Sequence, residues 1–116
     1  MSSDELLIEE AKRRREAFEN LPRYLELIVA TAKEVDRNAE VYLFGSVAEG
    51  RHLLSSDIDV LVVTEASPGE VLPRLWERGV GTPFEIHVVT RDALEIYRKR
   101  AKLIRAEDYV RLNRGR

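Results

Sequence analysis

The chain has 116 residues, 44% hydrophobic and 34% charged, a length that supports one modest core, so residues 1–116 are expected to form a single domain. It has no cysteine, which excludes disulfides, thiolate metal sites and cysteine nucleophiles. No apolar run is long enough to cross a bilayer, and Met1-Ser2-Ser3-Asp4-Glu5 is acidic rather than signal-like, so a cytoplasmic location is expected.

Residues 1–37 read as a helical N-terminal region. Ser2 and Glu5 have capping-box spacing. Leu7, Ala11, Arg14 and Phe18 recur at helical spacing, with Arg14 the polar exception. Asn20-Leu21-Pro22 marks a break, since proline is tolerated in a first turn. Tyr24, Ile28, Ala32 and Val35 then share one face of a second helix. Residues 40–90 form the strand-bearing region. Val41-Tyr42-Leu43-Phe44 is a short β-prone run ending in Gly45, and residues 45–56 read as a loop with at most one helical turn. Asp57–Thr64 is the clearest strand, with Ile58, Val60 and Val62 alternating against Asp57, Asp59 and Leu61. Ser67-Pro68-Gly69-Glu70 opens a third helix that runs to about Arg78, closed by Gly79 and Gly81. Phe84–Val89 is a third strand. Thr90-Arg91-Asp92 caps a fourth helix with an apolar stripe of Leu94, Tyr97, Ala101 and Ile104, and the tail beyond Asp108 is expected to be frayed or partner-bound.

Charge is uneven along this order. Residues 1–90 hold 10 basic and 17 acidic side chains, whereas residues 91–116 hold 9 basic and 4 acidic. A solvated amphipathic helix accounts for the basic segment. The competing account, a surface for phosphate or an acidic partner, has no aromatic stacking platform beside it. The element order points to an α+β fold with helices packed on one face of a small sheet, leaving the polar strand positions open on the other.

Chemistry concentrates between Phe44 and Asp59. Side chains two apart on a strand point to the same side, so Asp57 and Asp59 would crowd two carboxylates together. A divalent cation relieves both their repulsion and their dehydration, and Mg²⁺ is commonly held by one or two carboxylates plus substrate phosphates. In isolation such a pair is also consistent with two solvated acids. Gly45 permits a tight turn and close backbone approach, and Ser46 offers a hydroxyl and an N–H to an anion, although Gly-Ser alone also suits an ordinary turn. Glu85 either faces solvent or joins the two aspartates across the sheet. Three carboxylates so placed suit two Mg²⁺ ions and in-line nucleotidyl transfer. His87 shares the face of Glu85 and reads first as a polar strand residue, second as a partner of the acids.

Gly-Ser, ten intervening residues and then Asp-x-Asp resembles the signature of the polymerase-beta-like nucleotidyltransferase superfamily, and the short chain looks like its minimal nucleotidyltransferase (MNT) branch. The resemblance implies the nucleotidyltransferase fold, a mixed sheet backed by helices. It implies that Gly45 and Ser46 hold a triphosphate, with Arg51 the nearby basic residue. It implies that Asp57 and Asp59 ligate metal, and that Glu85 is the third ligand and helps deprotonate the acceptor. MNT proteins often pair with a helical HEPN partner as the antitoxin of a toxin–antitoxin system. The expected reaction is therefore transfer of AMP from ATP to a tyrosine of such a partner. The alternatives are an antitoxin acting by contact alone and transfer to a small molecule. Homo- or hetero-oligomers fit either reading. The acidic bulk of the chain and the lack of a template-binding domain argue against direct nucleic-acid binding. Two departures from the family stand out: Val47 and Glu49 lie where basic residues are common, and the N-terminal helical region is longer than usual.

Overall fold

The computed structural model describes residues 2–53 and 55–114. In chain order the elements are α1 (Ser3–Glu19), α2 (Leu21–Val35), β1 (Glu40–Phe44), α3 (Gly45–Ala48), β2 (Ile58–Val63), α4 (Pro68–Glu77), β3 (Phe84–Val89), α5 (Arg91–Arg100), β4 (Ile104–Arg105) and α6 (Ala106–Asn113). Local chemistry sets several of these boundaries. The Ser2 hydroxyl accepts from the N–H of Glu5 and caps α1. Pro22 sits in the first turn of α2, where its missing N–H costs no hydrogen bond. Ser67 and Glu70 form a reciprocal capping box at the start of α4.

The sheet order is β3-β2-β1-β4. β1 runs antiparallel to β2 and β4, while β2 and β3 are parallel, joined through α4. Alternation divides the strand side chains between two faces. Val41, Leu43, Ile58, Val60 and Val62 meet Leu25, Ile28, Val71, Leu75 and Val110 from α2, α4 and α6 in the main core. The fold is thus α+β with its main helical layer on one face, as the pattern predicts. On the opposite face Tyr42, Leu61 and Val63 pack against Leu94 of α5, with Tyr97 and Leu103 beside them. That helix covers one end of the second face and leaves the polar strand positions at the other.

Two expectations for the C-terminal segment are corrected. The fourth helix stops at Arg100, because Ala101 takes an extended backbone, and Ile104 pairs with Leu43 as part of β4 rather than completing a helical stripe. The segment expected to fray beyond Asp108 continues α6 through Asn113, held by buried Ala106 and Val110 against the main core. Burial of those apolar side chains provides the stability that a free tail would lack. Gly115 and Arg116, the last residues of that expected tail, lie outside the described residues.

Candidate active site

The site forms where β2 lies between the end of β1 and the start of β3. Register places Asp59 opposite Phe44 on one side and Glu85 on the other, with Leu61 opposite His87 one pleat further on. Gly45 follows Phe44 and turns the chain into α3 with a φ of 73°. A Cβ there would lie 2.4 Å from Oδ2 of Asp59. The carboxylate therefore presses against bare backbone, and glycine satisfies both the left-handed conformation and the close approach. Ser46 comes next, and its carbonyl accepts from the N–H of Arg51 at 2.9 Å, folding the loop back on α3.

One ligand atom each from Asp59, Glu85 and His87 lies within 4.8 Å of the others. The Nε2 of His87 is 3.5 Å from Oδ1 of Asp59 and 3.8 Å from Oε1 of Glu85. That nitrogen is enclosed and makes no hydrogen bond among the described residues. Its ring stands edge-on to Phe44, with centroids 5.1 Å apart, and Phe44 in turn meets Tyr97 at 5.5 Å. A cleft of about 380 Å³ lined by Phe44, Ile96, Tyr97, Arg100 and Ala101 adjoins this aromatic row.

Asp57 stands outside the Asp59, Glu85 and His87 cluster, one residue before β2, which begins at Ile58 with its N–H donating to the carbonyl of Pro83 at 2.9 Å. Its side chain is 52% exposed and pairs with Nη2 of Arg14 at 3.5 Å. Arg14 also donates from Nη1 to the carbonyls of Ser55 and Ser56, at 3.1 and 3.0 Å, fastening α1 to the segment before β2. Arg51 is exposed and pairs with Glu49 at 3.2 Å. The structure thus groups Asp59, Glu85 and His87 beside Gly45, while Asp57 is held by Arg14 at the margin. Both His87 and Arg14 left a trace in the sequence. His87 is two positions from Glu85 on a strand, and Arg14 interrupts an apolar helical stripe.

Two carboxylates and an imidazole nitrogen converging beside a sharp glycine turn form a donor set suited to a divalent cation. Residues 25–112 match the nucleotidyltransferase domain family. The chain belongs to that family. Two crystal structures are similar in shape to this nucleotidyltransferase domain. One, of a candidate nucleotidyltransferase, has a TM-score of 0.57 and 28% identity, covering 69% of this chain and 94% of the other. The second, of a candidate nucleotidyltransferase from Sulfolobus solfataricus, has a TM-score of 0.54 and 24% identity, covering 80% and 85%, and supports the fold alone. No protein of curated function matches significantly. The matched segment contains Gly45, Asp59, Glu85 and His87, whereas α1 precedes it. Among the described residues no helix is long and apolar enough to cross a membrane.

Proposed function

We propose that this nucleotidyltransferase domain transfers AMP from ATP to a tyrosine hydroxyl of a helical, HEPN-type partner protein, as the antitoxin of a toxin–antitoxin pair. The observation that carries the nucleotidyl-transfer reading is the placement of Asp59, in register with Glu85 and pressed against Gly45. Carboxylates for metal and backbone for phosphate then lie side by side. In this reading Gly45 and Ser46 receive the triphosphate, with Arg51 near its outer end. Asp57, Asp59 and Glu85 hold two Mg²⁺ ions. Those ions, when bound, neutralise the triphosphate and the charge that develops on it. Asp57 joins by exchanging its contact with Arg14 for a cation, while Arg14 keeps its hydrogen bonds to the carbonyls of Ser55 and Ser56.

The acceptor oxygen attacks the α-phosphorus, the bond to the β-phosphate oxygen breaks, and pyrophosphate leaves. Glu85, half exposed on the open face, accepts the hydroxyl proton. The apolar cleft beside Phe44 receives the acceptor ring. A contact-only antitoxin is the second reading, and one observation favours it. α1 exposes Leu6, Leu7 and Ile8 on a helix buried only at Ala17. Such apolar exposure suits a partner surface.

Incubation of the chain with ATP, Mg²⁺ and its purified HEPN-type partner separates these readings by intact mass spectrometry. The partner should gain one AMP moiety. Asp59→Asn should slow that gain at least about a hundredfold, the equivalent of a few kcal/mol of transition-state stabilisation, while the complex still forms. An unmodified partner, with neutralisation that survives the substitution, would leave contact as the mechanism.

A further inference from the structure

The Mg²⁺ reading leaves His87 without a task, yet its Nε2 is the atom of the site whose placement is hardest to explain otherwise. It is enclosed, makes no hydrogen bond among the described residues, and points at two carboxylates. At 3.5 Å from Asp59 it is beyond the usual range of an N–H···O hydrogen bond. Burial of such a nitrogen without a partner is unfavourable, so the arrangement calls for a group that fits among the three side chains. Distances indicate what that group is. In an octahedral site with metal–ligand bonds of about 2.1 Å, adjacent donors stand about 3 Å apart and opposite donors about 4 Å apart. The separations of His87 from Asp59 and Glu85, 3.5 and 3.8 Å, fall between those values. The two carboxylates lie within 4.8 Å of one another, so one ion bound to His87 and either acid reaches the other once the side chains draw in.

We propose that His87 supplies a nitrogen ligand to the cation held by Asp59 and Glu85, so that the site selects Mn²⁺ or Co²⁺ over Mg²⁺. This rests on the metal-dependent reading above and replaces its Mg²⁺ with a softer ion. Mg²⁺ prefers an all-oxygen shell and gains little from imidazole, whereas first-row transition ions gain from each nitrogen donor. Phe44 fixes the orientation of the ring by its edge-on contact, so the nitrogen is aimed before an ion arrives.

The composition of the chain makes the test clean. It has no cysteine and two histidines, and His52 stacks on Phe18 instead. Mn²⁺ added to the full chain without nucleotide should show an imidazole nitrogen coupling in pulsed electron paramagnetic resonance. The coupling should persist in His52→Ala and vanish in His87→Asn. By calorimetry, His87→Asn should weaken Mn²⁺ at least about tenfold and Mg²⁺ much less. The wild-type spectrum is informative even if that variant folds poorly. Two outcomes overturn the inference while the proposed function stands. One is Mn²⁺ binding that depends on Asp59 but lacks nitrogen coupling. The other is a His87→Asn protein with wild-type preference between the two ions. If no ion binds to the wild type, this inference and the metal-dependent reading fail together.

Discussion

Gly45 shows how one missing side chain positions a functional group. Its φ of 73° lies in the left-handed region, and a methyl group would meet the Asp59 carboxylate at 2.4 Å. Gly50 has a similar φ of 70° with open space around it. Comparing Gly45→Ala with Gly50→Ala therefore separates backbone strain from the clash. Each should lose roughly 1 kcal/mol from the left-handed backbone in denaturant unfolding. Gly45→Ala should lose a further 1–2 kcal/mol, or about that, and should also abolish metal binding, because the carboxylate must move aside. Equal losses for both variants would show that Asp59 yields freely. Gly45 and Asp59 were legible in the sequence because a glycine turn and a strand's period of two are local rules, whereas Glu85 was left between solvent and the aspartates until the β2–β3 register set it opposite Asp59. The Arg14–Asp57 pair was not, since it joins α1 to the segment before β2 across 43 residues of chain. His87 was half legible: alternation gave its face, but only the β2–β3 register brought it to Asp59.

At the scale of elements, sequence pattern succeeded where a segment carries its own periodic or apolar signal and failed in the C-terminal segment, where it does not. α1, α2, α4, β1, β2 and β3 stand within a residue or two of their expected bounds. β4 has two residues, too few for any period, and its pairing with β1 is decided by a neighbour about 60 positions earlier in the chain. α6 offers only Ala106, Tyr109 and Val110 as an apolar face, so tertiary packing decides its fate more than propensity does. Val110→Ala tests this directly. If α6 docks as described, the substitution should cost about 1–3 kcal/mol. Native-state hydrogen exchange should then show protection falling first in α6 and β4, with β2 and β3 least affected. A frayed tail would instead give no change in stability and no protected amides beyond Arg105.

Across the whole molecule, the uneven charge of the sequence resolves in part into contacts within the chain. The basic segment after residue 90 folds back on acids from the first half. Arg91 pairs with Glu40 at 3.1 Å, Arg105 approaches the same carboxylate at 3.9 Å, and Arg114 pairs with Glu26. Arg98 donates to the Tyr42 hydroxyl at 3.1 Å, and that hydroxyl donates to Glu40 at 2.6 Å. Glu40 is thus the acceptor on which β1, β4 and α5 converge. The Tyr42 hydroxyl holds its carboxyl below the ordinary range, with Arg91 and Arg105 adding to this and burial opposing it. Asp36 is held low as well, first by the Thr64 hydroxyl and then by the N–H of Asn38. Carboxyls depressed in the folded state stabilise it above their unfolded pKa of about 4 and lose that contribution as pH falls through the lower folded value. Unfolding by urea at a series of pH values should therefore show stability declining below about pH 4. Glu40→Gln should be less stable than wild type by about 1 kcal/mol at neutral pH, with the gap narrowing as the wild-type carboxyl protonates. Asp36→Asn should behave in the same sense. A gap that stays constant from neutral to acid pH would mean that Glu40 contributes by shape and not by charge.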